Sequence, residues 1–186
     1  MIEKINIQKI LASADCLYDS AAVEQALDQM AEAITLQCAD KNPLILCVMI
    51  GALIPLGHLL TRLSFPLEVD YIHVTRYQST TRGGDLHWLM TPRKTLEDRT
   101  VLIFDDIMDG GLTLSAIIDY CKQMGAKEVL SGVLVNKIRE REPGVHFTPD
   151  FVGVHTENRY LFGYGLDYQE YLRNAPGIYA VAKEFE

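Results

Sequence analysis

The sequence predicts an α/β fold with a mostly parallel central sheet and helices on both faces. Between residues 44 and 135, short apolar runs alternate with segments whose apolar residues recur at helical spacing. Such alternation is typical of right-handed βαβ units. A chain of 186 residues is also of single-domain size, so we predict one domain over residues 1–186. In sheets of this kind, ligands bind at the carboxyl ends of the strands.

The first predicted elements are a packing helix and a buried strand. Asp19 or Ser20 can cap the helix, whose apolar spacing continues to about Asp40. The continuous apolar run from Leu44 to Ile50 is typical of a strand covered on both faces. Gly51 then turns the chain into the next helix.

A second helix and strand lead into a long polar segment. The helix is predicted at about Leu53 to Leu63 and the strand at Leu67 to Val74. Residues from Thr75 to Arg93 show little apolar periodicity and read as a loop. Loops this long are often lids, so we predict a flexible lid over residues 75–95.

The second half continues the alternation. We predict strands at Val101 to Phe104 and Val129 to Val135, a helix at Leu112 to Met124, and a short strand at Phe151 to Val154. The chain ends in an aromatic tail that we expect to pack over the same sheet. Its tyrosines and phenylalanine are Tyr160, Phe162, Tyr164, Tyr168, Tyr171 and Tyr179.

Composition disfavours nucleic acid and membrane partners. The net charge of −8 would repel a polyphosphate backbone. No stretch approaches the ~20 apolar residues of a membrane span. The four cysteines are far apart and form no C-x-x-C pair, so we expect them to be reduced in a cytoplasmic protein.

Acidic residues gather where a predicted buried strand meets a Gly-Gly turn. Asp105, Asp106 and Asp109 lie within five positions, followed by Gly110 and Gly111. Glycines allow a tight turn and a close approach of the backbone to a ligand, and amides that open a helix bind anions. Carboxylates beside an anion site suit a sugar phosphate with its metal.

Other interpretations of this segment remain open. Asp109 could merely cap the helix, with Asp105 and Asp106 as solvated turn residues. An aspartyl-phosphate enzyme is disfavoured because adjacent residues of a strand point to opposite faces. A P-loop and a dinucleotide fingerprint are both missing from the sequence.

Two segments together resemble a known family. Residues from Val101 to Thr113 resemble the PRPP-binding motif of type I phosphoribosyltransferases, and those from Phe151 to Val154 and Arg159 to Arg173 resemble the C-terminal segment of hypoxanthine-guanine phosphoribosyltransferases. The resemblance covers about Leu44 to Tyr179. It implies the type I phosphoribosyltransferase fold with a small hood built from the chain's terminal segments.

The resemblance implies a purine site in a base-binding segment over about residues 136–173. Tyr160 would stack on the base and the Leu161 backbone would contact its edge. Lys137 would donate to O6, and Asp167 would lie near the 2-position. A lysine donor suits hypoxanthine or guanine and leaves the amino group of adenine opposed by another donor.

It also implies a PRPP site with Mg2+ as cofactor. Asp105 and Asp106 would hold the ribose hydroxyls, Asp109 would be the general base, and Arg76 and Tyr77 would belong to the lid. The predicted 5-phosphate loop is Gly110, Gly111, Leu112 and Thr113; the pyrophosphate contacts are Ile50, Gly51 and Arg173; the metal ligands are Asp105, Asp106 and Asp167. Partners would be PRPP, a 6-oxopurine, the purine nucleotide and pyrophosphate, with a homodimer or homotetramer as the assembly.

Three positions depart from the family pattern. Ile50 stands where a basic residue is common, Gly110 where Thr or Ser usually follows the base, and Arg76 where Ser is common before Tyr. Two alternatives stay open. One is a related enzyme that prefers xanthine, and the other is a protein on the same fold that senses PRPP or nucleotide without catalysis.

Overall fold

A computed structural model describes residues 7–76 and 86–185 as two sheets flanked by helices. The elements in chain order are α1 (Ile7–Ser13), β1 (Asp15–Tyr18), α2 (Ser20–Cys38), β2 (Leu44–Met49), α3 (Leu53–Leu60), β3 (Glu68–Arg76), β4 (Leu86–Met90), β5 (Thr100–Met108), α4 (Leu112–Gln123), β6 (Glu128–Lys137), β7 (Phe151–Thr156), β8 (Leu161–Phe162), β9 (Ile178–Ala180) and a 3-10 turn (Lys183–Phe185).

The central sheet confirms the predicted parallel architecture. Its strand order is β4-β3-β2-β5-β6-β7, and only the β3–β4 pair is antiparallel. Consecutive residues of β2 are buried, so both faces of the sheet are covered there. Asp19 caps α2 by accepting a hydrogen bond from the Ala22 amide at 2.9 Å.

The chain termini form a second, smaller layer. Strands β1, β9 and β8 make a three-stranded antiparallel sheet. Ile10 of α1 packs beneath it with Phe162, Tyr168 and Leu172. This layer is the predicted hood. The tail also reaches the main core, because Leu161, Tyr164 and Leu166 pack with the central sheet's residues.

The strand and helix boundaries differ from the prediction at several ends. Strand β5 continues past Phe104 to Met108, because its pairing with β6 extends to Met108 opposite Asn136. Both Asp105 and Asp106 are therefore strand residues. Helix α3 ends at Leu60 rather than Leu63.

The predicted loop over Thr75 to Arg93 is wrong in part. Strand β3 runs to Arg76, and Leu86–Met90 forms β4 by antiparallel pairing with β3. Polar and apolar residues alternate only over Leu86, His87 and Trp88, which is too short a pattern to stand out from the polar sequence before it. Tyr77 and the rest of residues 77–85 lie outside the described residues. No helix in the described ranges combines the length and apolar character needed to cross a bilayer.

Candidate functional site

Two adjoining cavities open at the carboxyl ends of the central strands. The first, of about 350 Å³, contains most residues predicted for PRPP, and the second, of about 230 Å³, contains the four predicted for the purine. The first is lined by Val48, Met49, Ile50, Gly51, Val74, Asp105, Asp106, Ile107, Asp109, Gly110, Gly111, Thr113, Leu114, Asp167 and Arg173. The second is lined by Asp106, Ile107, Asp109, Lys137, Tyr160, Leu161, Leu166 and Asp167. The cavities therefore share a wall that includes three carboxylates, Asp106, Asp109 and Asp167.

A glycine N-cap opens α4 toward the first cavity. Gly111 has a φ of 87° and caps the helix without a side-chain hydrogen bond. A Cβ there would lie 2.9 Å from both Met108 Cε and Val145 Cγ1, so packing and conformation both require glycine. Leu112 begins the helix, and its amide belongs to the first turn, whose donors have no partner within the helix. This geometry is suited to an anion.

Asp105, which is buried, and Asp106, which is partly buried, form an acidic pair beside Gly51. The Asp106 amide donates to Asp105 Oδ1 at 2.9 Å. Burial raises the pKa of both carboxyls, and the neighbouring charge of Asp106 raises the pKa of Asp105 further. A Cβ on Gly51 would lie 1.8 Å from Asp106 Oδ2, so only glycine lets the β2–α3 turn approach this carboxylate. The pair has no full set of protein counter-charges, which is the environment of a cation or hydroxyl ligand.

Asp109 lies between two cations instead of capping α4. Its Oδ2 is 3.3 Å from Lys137 Nζ and its Oδ1 is 2.8 Å from Arg139 Nη1. Burial alone would raise the Asp109 pKa, but Lys137 and Arg139 outweigh burial and hold that pKa below its ordinary value. The helix-cap interpretation of Asp109 is therefore wrong.

Residues 139–142 support Asp109 in a way the sequence prediction missed. Arg141 Nη1 donates to the carbonyl of Asp109 at 2.5 Å and to that of Met108 at 3.3 Å. The Glu142 amide donates to the Gly110 carbonyl at 3.0 Å. An Arg-Glu-Arg-Glu run that begins two positions after Lys137 was the available signal, since it follows a strand that ends at the same sheet edge.

The purine cavity combines a buried lysine with a half-exposed aromatic ring. Lys137 is only 8% exposed at the end of β6, whereas Tyr160 is 43% exposed. The Tyr160 carbonyl accepts the Val181 amide at 2.8 Å, which ties its backbone to the hood. The Tyr160 ring meets Tyr168 edge-on, with centroids 5.4 Å apart. One face of this ring therefore has a fixed neighbour while much of it remains open.

Arg173 lines the first cavity and pairs with Asp167, which lines both. Its Nη2 lies 2.8 Å from Asp167 Oδ1, and its Nη1 donates to the Gly165 carbonyl at 2.8 Å. The same cavity is lined by Ile50, which is preceded by a cis peptide bond from Met49. These contacts bring the predicted pyrophosphate residues, Ile50, Gly51 and Arg173, to one cavity.

The predicted metal ligands line one cavity, and most of the predicted lid lies outside the described residues. Within residues 7–76 and 86–185, no three acidic, histidine or cysteine side chains are close enough to hold a metal ion by themselves. Asp105, Asp106 and Asp167 line one cavity without forming such a cluster, because Asp167 reaches it from the segment after β8. The lid residues cannot be placed: Tyr77 and the Arg76 side chain lie outside the described part of the chain.

Comparisons with known proteins agree with this geometry. Residues 13–169 match the phosphoribosyl transferase domain. The bifunctional protein TilS/HprT of Listeria monocytogenes is 34% identical over 174 residues, which are 93% of this chain and 26% of that protein. This chain thus spans about a quarter of that relative. The hypoxanthine-guanine phosphoribosyltransferase of Bacillus subtilis is 31% identical over 176 residues, covering 94% of this chain and 93% of that protein.

Structural similarity extends over the same region. A solved hypoxanthine-guanine-xanthine phosphoribosyltransferase superposes with a TM-score of 0.82 at 29% identity. The superposition covers 91% of this chain and 97% of the other. Most of the chain is therefore included in the likeness.

The acidic pair leads to a stability prediction. A carboxyl group whose pKa is raised by folding destabilises the folded state once it ionises. Its contribution to the free energy of unfolding therefore falls as pH rises above about 4, where the same carboxyl in the unfolded chain loses its proton. In metal-free buffer we therefore expect Asp105→Asn to raise the free energy of unfolding at pH 8 by about 0.5–2 kcal/mol. The gain should shrink as pH falls toward about 4.

Urea denaturation at several pH values measures this effect. Asp119→Asn is the control, because Asp119 is exposed on α4 and remote from the pair. A lower stability of Asp105→Asn at pH 8 would contradict the assignment of Asp105 as an uncompensated buried acid.

Proposed function

Because this chain belongs to the hypoxanthine-guanine phosphoribosyltransferase family of phosphoribosyl transferase domains, we propose that it transfers the 5-phosphoribosyl group of PRPP to N9 of hypoxanthine or guanine. The products would be IMP or GMP and pyrophosphate, a purine salvage reaction. The observation that carries this proposal is the common wall of the two cavities, Asp106, Asp109 and Asp167. An anion-binding turn lies on one side of that wall and a buried lysine with an open tyrosine ring on the other.

Purine recognition would depend on Lys137 and Tyr160. A buried ammonium pairs with the O6 carbonyl of a 6-oxopurine but opposes the amino group of adenine. The open face of Tyr160 would stack on the base. Leu161 and Asp167 would contact its edge near the 2-position. Since one similar solved structure is named for xanthine as well, xanthine is a further candidate acceptor.

PRPP would lie along the first cavity. Its 5-phosphate would accept hydrogen bonds from the turn of Gly110, Gly111, Leu112 and Thr113. Asp105 and Asp106 would accept hydrogen bonds from the ribose hydroxyls. The pyrophosphate would lie between Gly51 and Arg173, where Ile50 offers its amide and no charge.

Magnesium fits this cavity as a shared ligand. Mg2+ is usually held by one or two carboxylates together with waters and substrate phosphates, so no three-residue protein cluster is required. Asp105, Asp106 and Asp167 supply oxygens of the right kind. Burial raises the pKa of the first two, and a dication would favour their ionised form. When bound, the ion would stabilise negative charge on the departing pyrophosphate.

Asp109 would act as the general base. Its carboxylate faces the cavity wall that both substrates share, and its lowered pKa keeps it ionised at neutral pH. Lys137 Nζ lies 3.3 Å from Asp109 Oδ2, which is long for a hydrogen bond. If Lys137 turns to the purine O6, Oδ2 becomes available for the proton on N7. Lys137 would then exchange Asp109 for the purine O6, and both charged side chains would stay in the site.

The remaining features are proposals with narrower support. A lid over about residues 75–95, including Arg76 and Tyr77, would exclude water from the reacting centre.

Exposed apolar residues on β3, β4 and α3 are consistent with a homodimer or homotetramer; they are Val69, Tyr71, Leu89, Met90 and Leu53. Buried free cysteines agree with a reducing cytoplasmic location. Organisation of residues 1–186 as one domain also remains a prediction.

The function is tested by following nucleotide formation in ultraviolet absorbance. PRPP and Mg2+ are supplied with hypoxanthine, guanine, xanthine or adenine. We expect product with hypoxanthine and guanine and none with adenine, because Lys137 opposes the adenine amino group. Absence of product with every base would show that the chain is not this enzyme.

Removal of the base is the sharpest test of mechanism. We expect Asp109→Asn to lower kcat by about 10²- to 10⁴-fold, the usual contribution of a general base. The substitution preserves size and hydrogen-bonding capacity, so the loss reports proton transfer. Asp119→Asn serves as the control. Wild-type turnover by Asp109→Asn at neutral pH would refute the assignment.

Arg139 should set the acid limb of the pH profile. Arg139 is one of the cations that lower the Asp109 pKa. Its loss in Arg139→Gln raises that pKa, so protonation inactivates the base at a higher pH. We expect the acid limb of kcat/KM for hypoxanthine to move upward by up to about one pH unit.

Two controls make the Arg139 experiment specific. Arg139→Lys retains a cation, so the pH of its acid limb should lie close to that of the wild type. Glu140→Gln changes an exposed neighbouring charge and should leave the limb unchanged. A limb in Arg139→Gln that coincides with the wild type would mean that Arg139 does not act on Asp109 during turnover.

A further inference from the structure

A buried tyrosine hydroxyl joins the aromatic tail to two helices far away in sequence. Tyr164 is 4% exposed, and its hydroxyl contacts the Glu24 carboxylate on α2 and lies 2.9 Å from His58 Nδ1 on α3. The sequence favoured simple core packing for this ring. Packing is observed, but the hydroxyl also has specific partners.

Glu24 is the centre of this network. Its Oε2 lies 2.5 Å from Arg62 Nη2 and its Oε1 lies 2.9 Å from His58 Nδ1. Arg62 is fixed in turn by Asp28 at 2.6 Å. Burial would raise the Glu24 pKa, yet Tyr164, Arg62 and His58 together lower it. Burial and the Glu24 charge raise the pKa of Tyr164, so its hydroxyl stays protonated and donates.

The Tyr164 backbone lies in a turn that touches the pyrophosphate side of the cavity. Gly163, Tyr164 and Gly165 all have positive φ, at 94°, 51° and 108°. This is an uncommon conformation for tyrosine. The amide of Gly165 donates to the Arg173 carbonyl at 2.9 Å, and Arg173 Nη1 returns a hydrogen bond to the Gly165 carbonyl at 2.8 Å.

The same turn packs directly on Gly51. A Cβ at Gly165 would lie 2.1 Å from the Gly51 carbonyl oxygen. Position of the Tyr164 turn therefore determines where Gly51 and Arg173 stand relative to each other. Of the three consecutive residues with positive φ, Tyr164 alone has a side chain that can fix the turn, because Gly163 and Gly165 are glycines.

We infer that Tyr164 is a positioning residue for PRPP: its hydroxyl, held by Glu24 and His58, fixes the turn that sets Gly51 and orients Arg173. The inference rests on the proposed function, in which those two residues receive the pyrophosphate group. It concerns binding of PRPP rather than the purine, since Lys137 and Tyr160 make no described contact with the network.

The test compares Tyr164→Phe with Tyr168→Phe. Tyr168 is an equally buried tyrosine of the same segment, 6% exposed, and its hydroxyl donates to the Phe185 carbonyl at 3.0 Å, away from Gly51. Each substitution keeps the ring and removes the hydroxyl with its hydrogen bonds. Calorimetric titration with PRPP and Mg2+ gives Kd, steady-state assays give both KM values, and thermal unfolding gives Tm.

We expect Tyr164→Phe to weaken PRPP binding and raise its KM by about three- to tenfold, the range for one lost hydrogen bond. The KM for hypoxanthine should change less than about twofold. Tyr168→Phe should lower Tm to a similar extent while leaving PRPP binding at the wild-type value. Equal PRPP affinity in the two variants would overturn the inference.

A second variant protects the test against misfolding. Glu24→Ala removes the acceptor and leaves Tyr164 intact, so it should weaken PRPP binding similarly. The double variant with Tyr164→Phe should be no weaker than the worse single one, because both act through one contact. Full additivity would contradict a shared mechanism.

Failure of the proposed function gives a different pattern. A wild-type chain that binds PRPP without forming product would remove the proposed reaction, while the Tyr164→Phe and Tyr168→Phe affinities would still decide the inference. A wild-type chain that binds no PRPP would remove both.

Discussion

The rest of the site depends on the close approach of the Gly51 backbone to the Asp106 carboxylate. That approach joins the ends of β2 and β5, which are neighbours in the sheet. Asp105 and Asp106 continue the β5 ladder, so their burial is a consequence of strand pairing rather than of a loop that could relax. The fold therefore holds like charges together at a cost in stability, and this arrangement is useful only where a ligand or a cation offsets them.

Around this acidic pair, the other charges are arranged in compensated sets. Asp109 is matched by Lys137 and Arg139, and Asp167 by Arg173. For Asp109, these cations lower the carboxyl pKa and favour its ionised form without a bound substrate. The carboxylates of the site thus differ in their surroundings. Asp105 and Asp106 lack a full set of protein counter-charges, whereas the cations beside Asp109 must rearrange before it can accept a proton.

Much of this site was predictable because its signals are local in sequence. Strand β5, its acids and the Gly-Gly turn are consecutive, and Gly111 serves the turn as expected. The antiparallel strand β4 was not predicted, because it depends on pairing with β3, and the place of Asp167 in the cavity of the acidic pair depends on how the tail folds. Glu24 and Tyr164 are 140 positions apart, and only the folded chain brings them together.

The same reasoning accounts for the departure at Gly110. A Cβ at this position would lie 2.6 Å from Glu142 Cγ, so the space that Thr or Ser would use is occupied. Glu142 is held there by its amide's bond to the Gly110 carbonyl and by Arg139, whose Nη2 lies 3.6 Å from Glu142 Oε1. Arg139 also contacts Asp109. Glycine at 110 and the charged run at 139–142 are therefore one structural feature: the turn gives up a hydroxyl, and the segment packed in its place brings a second cation to the base.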